Sequence, residues 1–260
     1  MSKNDKYLLP DLTSIARKYG TDKVGSHFYT IHYEAYFNKF RDAKIKLLEI
    51  GVGGYKDPDK GGESLRMWKE YFKNGSIFGI DIYDKHLLEE NRIKIFQGSQ
   101  VDEEFLKSVI SEIGLPDIII DDGSHINKHA ITSFKILFPF LKTGGIYVVE
   151  DVQTSYWPNH GGNSFNLKKS GTTMNFFKQL TDCLNYEEFD NPYYKPTYFD
   201  EHVVSVNFYH NMIFVHKGIN KEGSSSYFNN PIRKKKNRIR PKYLIRLISL
   251  KLRNLLTRNY

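Results

Sequence analysis

The chain has 260 residues, 40% hydrophobic and 26% charged, which is enough to bury one sizeable core. Its single cysteine, Cys183, excludes an intrachain disulfide and favours a reducing, cytoplasmic setting. No apolar stretch follows the opening MSKNDKYLLPD and nowhere do 18 apolar residues run together, which argues against a secreted or membrane-spanning protein.

The formal net charge of +8 comes from the C-terminal end. Residues 223–260 contain 11 of the 38 Lys and Arg residues and no acid, so the other 27 basic residues face 30 acidic ones. The stretch GINKEGSSSYFNNP has the Gly, Ser and Asn content of a linker. We therefore predict a slightly acidic body followed by a separate basic segment.

The elements of the body alternate between helical and strand-like patterns. LTSIARKYG and HFYTIHYEAYFNKF predict two N-terminal helices. Strands are predicted at 45–51, 76–82, 92–98, 116–122 and 145–151, with amphipathic helical segments such as ESLRMWKEYF and HAITSFKILFPFL between them. This alternation is typical of right-handed βαβ units and a parallel sheet.

Residues 202–217, HVVSVNFYHNMIFVHK, predict two more strands joined by a tight turn around Tyr209 to Asn211. A terminal hairpin added to five parallel strands gives a seven-stranded mixed sheet. The predicted fold is therefore α/β and Rossmann-like, with helices on both faces of the sheet.

The first turn after a strand, LLEIGVGGY, bears on the cofactor. Gly51 and Gly53 let the backbone pass close to a ligand, but a dinucleotide fingerprint requires a third glycine where Lys56 stands. KGGES lacks the lysine of a phosphate-binding P-loop. An adenosyl cofactor without a pyrophosphate remains, with Glu49 ending the first strand and Asp81 ending the second, where it can accept from ribose hydroxyls. Without these acids, the glycine pair is equally typical of an ordinary turn.

The fourth and fifth strands end in acids: Asp121 and Asp122 with His125 close behind, then Glu150 and Asp151. Adjacent parallel strands lie ~4.8 Å apart, so these ends can converge on one ion. Carboxylates brought so close repel one another unless a cation or protons neutralise them. Oxygen ligands suit Mg²⁺ better than zinc.

Two alternatives remain for this acidic edge. Asp122 can be a helix N-cap, with Glu150 and Asp151 as turn residues, although this explains the acids only one at a time. His125 and His129, four residues apart, can be a zinc pair, but no Cys or third His stands at the usual spacing.

At this point the sequence resembles a known family. The segments ARKYGTDKVGSHFYTIHYEAYF, LLEIGVGGY, GGESLRMWKEYF, GIDIYDK, PDIIIDDGSHIN and LFPFLKTGGIYVVEDVQTSYWP are similar to the metal-dependent, class I O-methyltransferases that modify macrolide sugars. The resemblance covers about residues 14–165, and the D-D-G-S-H and E-D-x-Q-T-S-Y-W motifs are its most specific part.

The resemblance implies S-adenosylmethionine and Mg²⁺ as cofactors. It implies that Asp122, Glu150 and Asp151 bind the metal and that His125 is the general base. The glycine turn and its two acids, namely Glu49, Gly51, Gly53 and Asp81, then belong to the cofactor site.

Three further residues are candidates on the cofactor side. Ser99 and Gln100 follow the third strand, where this family builds its adenine pocket, although an ordinary loop is the alternative. Ser64 stands near a helix start and can hold the methionyl carboxylate or simply cap the helix.

Gln153, Tyr156 and Trp157 come directly after the metal acids. Aromatic faces stack on sugar C–H surfaces, so these residues are predicted to face the acceptor. Tyr and Trp are also common core residues, which is the alternative.

The predicted organisation is an N-terminal helical lid (1–44), a methyltransferase domain (45–222) and a basic linker with an amphipathic helix (223–260). Apolar residues at 244, 247, 248, 252 and 255 form a helical stripe among basic residues. Residues 231–260 are therefore expected to contact an anionic membrane surface, at the inner face of the membrane. A subunit-packing helix or an unstructured basic end are the alternatives.

The expected function is Mg²⁺-dependent O-methylation of a sugar hydroxyl in a bacterial glycan, glycolipid or glycosylated natural product. Membrane contact would favour a lipid-linked polysaccharide intermediate, and the family resemblance favours a homo-oligomer. A basic-tailed RNA methyltransferase or other nucleic-acid-binding protein is the alternative, against which the acidic body argues. A non-catalytic scaffold would be expected to lack site residues that are present here.

Overall fold

The computed structural model describes residues 11–191 and 193–224. Its contacts divide them into a body, residues 11–186 and 193–220, and a short second unit, residues 187–191 and 221–224. In the second unit, the Gly223 N–H donates to Glu187 Oε2 at 2.5 Å and the Ser224 hydroxyl to Glu188 Oε2 at 2.8 Å. The predicted amphipathic helix in 231–260 lies outside the described residues.

The body is built from helices and strands that alternate along most of the chain. The helices are α1 (Leu12–Tyr19), α2 (Thr30–Phe37), α3 (Glu63–Tyr71), α4 (Glu103–Ile113), α5 (Asn127–Leu137), α6 (Thr173–Cys183) and α7 (Tyr198–His202). The strands are β1 (Lys46–Ile50), β2 (Ser76–Asp81), β3 (Ile93–Gln97), β4 (Ile118–Asp121), β5 (Ile146–Val149), β6 (Val203–Tyr209) and β7 (Met212–Lys217).

The strands form one seven-stranded sheet in the order β3-β2-β1-β4-β5-β7-β6. The first five strands are parallel, and the β6–β7 hairpin adds an antiparallel edge through pairing of β5 with β7. All seven strands lie within the predicted ranges, so the predicted fold class is confirmed. The order reverses beside β1, and the carboxyl ends of β1, β4 and β5 lie side by side there, where ligands bind in open α/β sheets.

Helices cover both faces of the sheet because successive side chains of a strand point to opposite faces. On one face, Leu47, Ile118 and Ile120 join a core with buried side chains of α1, α2 and α3. On the other, Leu48 and Ile119 join a core with α4, α5 and α6. The continuous apolar runs of the sequence therefore reflect strands that are buried on both sides.

The N-terminal helices are part of this packed body. Asp11 caps α1 by accepting the Ser14 N–H at 2.7 Å, and Gly20 ends the helix with φ +73°. The chain then passes the carboxyl ends of β4 and β5, where Lys23 contacts Asp122 and Glu150, and enters α2. Among the described residues, no helix is both long and apolar enough to cross a membrane.

Candidate active site

The glycine turn after β1 lies against the backbone that follows β4. A Cβ on Gly51, whose φ is +95°, would lie 2.1 Å from the Asp122 carbonyl oxygen. Gly53 also has a positive φ, +83°, but a Cβ there would meet only Gly61 Cα, at 3.7 Å. The protein's own backbone therefore requires glycine at 51, whereas space remains at 53.

Asp81, at the end of β2, is oriented by this turn. Its Oδ2 accepts the Val52 N–H at 2.9 Å and its Oδ1 accepts the Tyr83 N–H at 2.9 Å. A carboxylate oxygen can accept more than one hydrogen bond, so each oxygen can still accept from a hydroxyl. The half-buried Asp81 is thus fixed in place beside the glycine turn.

Gln100 joins the loop after β3 to the loop after β4. Its Nε2 donates to Asp121 Oδ1 at 3.1 Å, and its Oε1 accepts the Ser124 N–H at 2.8 Å. The neighbouring Ser99 hydroxyl accepts the Val101 N–H at 3.4 Å. Both predicted adenine-side residues therefore have partners within the protein, and Gln100 holds two site loops together.

The two aspartates at the end of β4 point to opposite sides. Asp121 faces the helix layer that contains α5, where it accepts from the Ser133 hydroxyl and, at 3.4 Å, from Tyr147. Burial raises the pKa of Asp121 above its usual range. Asp122 points to the opposite face, which α1–α3 cover, because successive side chains alternate between the faces of a sheet. Of the two aspartates, Asp122 is therefore the one that joins the site.

Four charged side chains form what we call the inner cluster: Lys23, Glu49, Asp122 and Glu150. Lys23 Nζ donates to Glu150 Oε1 at 2.7 Å and to Asp122 Oδ2 at 2.8 Å, and lies 3.2 Å from Glu49 Oε1. Lys23 is 1% exposed, and Glu49 is 0% exposed. Glu49 reaches this cluster because it lies two residues after Leu47 and therefore on the same, α1–α3 face of β1.

The inner cluster holds more acids than Lys23 can neutralise. Burial lowers the pKa of Lys23, but Asp122, Glu150 and Glu49 outweigh it and hold that pKa well above its usual value. Burial raises the pKa of Glu49 to about 7, although Lys23 opposes this rise. The Trp68 Nε1–H donates to Glu49 Oε2 at 3.0 Å, and Ser64 beside the carboxylate also lowers its pKa. Ser64 is thus placed next to Glu49 at the start of α3.

Two tyrosines from the N-terminal segment complete the acid contacts. Tyr33, fully buried on α2, donates to Glu150 Oε1, the same oxygen that accepts from Lys23. Tyr29 donates to Asp151 Oδ1 at 2.7 Å, and burial together with this bond raises the Tyr29 pKa, so the phenol stays a donor. The segment before β1 therefore lies directly on the acidic edge.

His125 and Asp151 lie further out, and with Asp122 they form what we call the outer cluster. His125 Nε2 is 3.7 Å from Asp151 Oδ2, and His27 Nε2 is 3.8 Å from Asp151 Oδ1. His125 and Asp151 have φ values of +55° and +53°, uncommon for residues with side chains and frequent where structure fixes a functional group. His129 Nδ1 is instead paired with the Ser124 hydroxyl at 2.9 Å.

The residues after Asp151 form a short 3₁₀ segment, 152–156. Trp157 is 47% exposed, and its ring meets His160 edge-on at 5.7 Å between centroids. Tyr156 and Gln153 are half-buried. Gln153 Oε1 is buried and accepts no hydrogen bond from the described residues, so it is an unpaired acceptor beside the acidic edge.

The donor set fits a hard divalent cation. Asp122, His125 and Asp151 each offer one ligand atom, and these atoms lie within 4.8 Å of one another. The same holds for Glu49, Asp122 and Glu150, where Lys23 already lies among the oxygens. Of the three predicted metal ligands, Asp151 therefore belongs to the first group, Glu150 to the second and Asp122 to both.

Four residues of the site were not predicted from the sequence: Lys23, His27, Tyr29 and Tyr33. All four stand in ARKYGTDKVGSHFYTIHYEAYF, one of the segments that carry the resemblance. Their residue types alone gave no reason to place them at the ends of strands about 100 residues away. Only the inclusion of this segment in the resemblance pointed to the site.

Comparison with curated proteins identifies homologues of this chain. It is 47% identical over 216 residues to mycinamicin VI 2''-O-methyltransferase of Micromonospora griseorubida, covering 82% of this chain and 54% of that protein. It is 43% identical over 220 residues to 8-demethyl-8-(2-methoxy-alpha-L-rhamnosyl)-tetracenomycin-C 3'-O-methyltransferase of Streptomyces olivaceus, covering 84% and 56%. The chain thus spans about half the length of these relatives. No family model matches it.

A solved structure agrees with this similarity. The methyltransferase MycE of the mycinamycin biosynthetic pathway, solved with Mg, SAH and mycinamycin VI, matches with a TM-score of 0.79 at 46% identity. The match covers 82% of this chain and 55% of that one. The homologues are thus natural-product sugar O-methyltransferases, which confirms both the predicted resemblance and the predicted class I methyltransferase fold.

Proposed function

Because its homologues methylate natural-product sugars, we propose that this chain transfers the methyl group of S-adenosylmethionine to a sugar hydroxyl, with Mg²⁺ at the acidic edge. One observation supports this above all: Asp122, Asp151 and His125, two proposed metal ligands and the proposed base, each place an atom within 4.8 Å of the others beside the glycine turn. When bound, Mg²⁺ polarises the acceptor hydroxyl and S-adenosylmethionine supplies the methyl group. We propose a glycosylated natural product as the acceptor class.

The metal ligands in this proposal are Asp122, Glu150 and Asp151. Support comes from the unequal charges of the inner cluster, where three carboxylates face one ammonium. Tyr29 and Tyr33 orient Asp151 and Glu150 by donating to one oxygen of each. The other oxygen of each carboxylate would remain to hold the ion.

His125 is the proposed general base. A sugar hydroxyl is a poor nucleophile at neutral pH, so its proton must leave as the new C–O bond forms. A proton taken up at His125 Nε2 lies near Asp151 Oδ2, 3.7 Å from that nitrogen, and the carboxylate stabilises the resulting imidazolium. The positive φ of His125 sets the direction in which its Cα–Cβ bond leaves the backbone.

The cofactor residues in this proposal are the turn and its surroundings: Glu49, Gly51, Gly53, Ser64, Asp81, Ser99 and Gln100. Asp81 would accept from ribose hydroxyls with the oxygens that also hold the turn. The open space at Gly53 lets the cofactor approach the backbone. Glu49, Gly51 and Gln100 act by shaping the turn and the acidic edge, because each of them contacts another part of the protein there.

Gln153, Tyr156 and Trp157 are the proposed acceptor-facing residues. The exposed Trp157 offers an aromatic surface for a sugar, and the unpaired Gln153 Oε1 can accept from a hydroxyl. A lipid-linked polysaccharide acceptor and membrane contact rest on residues 231–260, outside the described residues, and stay predictions. So do the homo-oligomer, the cytoplasmic setting and the three-part organisation with a lid over 1–44.

The test separates binding from chemistry. S-adenosylhomocysteine should bind the full chain in calorimetric titrations, whereas NAD should not; failure of S-adenosylhomocysteine to bind with Mg²⁺ or with EDTA would contradict the proposal. His125→Ala should keep that affinity but lose methyl transfer to a panel of glycosides by about 10²- to 10⁴-fold. His129→Ala is the matched control, because His129 pairs with Ser124 rather than with the acids, and it should transfer methyl groups normally.

A further inference from the structure

A lysine lies where a second cation would fit. Lys23 Nζ lies 2.7, 2.8 and 3.2 Å from oxygens of Glu150, Asp122 and Glu49, which are themselves close enough to hold one ion. An ammonium has three N–H donors and no acceptor, so the carboxylates around it match its donors. Its side chain is 1% exposed, and a buried charge is tolerated only when paired.

We propose that Lys23 is the built-in cation of the inner cluster and a positioning residue for the metal site. It holds Glu49, Asp122 and Glu150 together, keeps a second divalent ion out of the inner cluster, and positions Asp122 and Glu150, which with Asp151 are the proposed ligands of the one ion. The inference deepens the metal-binding part of the proposed function and rests on it. It adds that the acidic edge binds one divalent ion, because the ammonium takes the place of a second.

The distances support a permanent ammonium in the inner cluster. Separations of 2.7 and 2.8 Å are typical of charge-assisted N–H···O bonds. Glu150 Oε1 accepts from both Lys23 and Tyr33, so the protein occupies that oxygen from two sides. Glu49 Oε1 is buried and accepts no hydrogen bond among the described residues, so its interaction with Lys23 is mainly electrostatic.

Among the described residues, no Lys or Arg lies within salt-bridge distance of Asp151 in the outer cluster. Asp151 accepts from the neutral Tyr29 phenol at 2.7 Å, and the two nearby histidine nitrogens are 3.7 and 3.8 Å away. Asp122 gives Oδ2 to Lys23 and connects the two clusters. Lys23 therefore fixes the position of Asp122, and through it one side of the divalent site.

Lys23→Met tests this in the full chain, because it removes the ammonium but keeps an unbranched apolar side chain. In EDTA the variant should melt about 10 °C below wild type, since three buried carboxylates then lack their partner. Mn²⁺ should restore most of this loss and bind with a stoichiometry of two, against one for wild type. Equal Mn²⁺ stoichiometry together with an unchanged metal response of the melting temperature would overturn the proposal.

Lys85→Met is the matched control. Lys85 is also 1% exposed, but its Nζ donates to the neutral carbonyls of Asp57 and Lys60, at 2.5 and 2.9 Å. This variant should lose stability without gaining any response to Mn²⁺. A gain equal to that of Lys23→Met would mean that metal rescue is unspecific, and would overturn the proposal.

If Lys23→Met does not fold in EDTA, Lys23→Met/Glu49→Gln decides the question, because it removes one of the unpaired charges. Folding of the double variant in EDTA supports a charge role, whereas equal failure overturns it in favour of packing alone. Absence of Mn²⁺ binding by wild type would instead contradict the proposed metal site. The two proposals therefore fail by different measurements.

Discussion

Gly51→Ala tests whether the turn after β1 is limited by the protein's own backbone. The new Cβ would lie 2.1 Å from the Asp122 carbonyl oxygen, where ordinary contacts begin at 3.4 Å, so the backbone must move by more than 1 Å. A left-handed non-glycine residue costs about 1–2 kcal/mol, and overpacking adds about 1–3 kcal/mol. The expected loss in the free energy of unfolding is therefore about 2–5 kcal/mol, measured by urea denaturation.

The same displacement should weaken the metal site, because Asp122 is attached to the backbone that must move. Its N–H donates to Ile50 O at 2.9 Å, so the shift also disturbs the β1–β4 contact. Gly53→Ala is the control: it has a similar φ but meets Gly61 Cα only at 3.7 Å, so about 1–2 kcal/mol should be lost and Mn²⁺ affinity kept. Equal losses of stability in the two variants would refute the clash as the cause.

The remaining predictions concern acceptor binding and acid stability. Trp157→Ala should raise KM for the glycoside acceptor several-fold and leave the Kd of S-adenosylhomocysteine unchanged. The reason is that the Trp157 side chain, which follows the metal acids in the chain, is 47% exposed. An unchanged KM would show that Trp157 is not part of the acceptor site. Burial, with a smaller contribution from Lys39, lowers the pKa of His216 to about 4. The neutral, buried His216 therefore contributes its full stabilisation above the usual histidine pKa of ~6.5, and this contribution is lost as the pH falls towards 4. His216→Gln should consequently show a smaller drop in melting temperature between pH 7 and 4 than wild type. Parallel melting profiles of the two proteins would contradict this.

The sequence alone determined that five parallel strands and a hairpin form one sheet, and that acids lie at the carboxyl ends of its strands. Apolar runs such as IKLLEIG and PDIIIDD are continuous because both faces of these strands are covered, and their alternation with helices fixes parallel order. The acids at the ends of β4 and β5 could be predicted to lie close together, because neighbouring parallel strands end at the same edge of a sheet. The glycine turn and the hairpin followed from equally local rules.

The tertiary structure decided which side chains meet there. The pleat sends Asp121 towards Ser133 and Asp122 towards Lys23, a difference that two adjacent aspartates in a sequence do not reveal. Lys23 and Tyr33 reach Glu150 across more than 100 residues, through the packing of α1 and α2 on the sheet. No local sequence pattern reveals such contacts between distant residues, because they form only when the helical layer packs on the sheet.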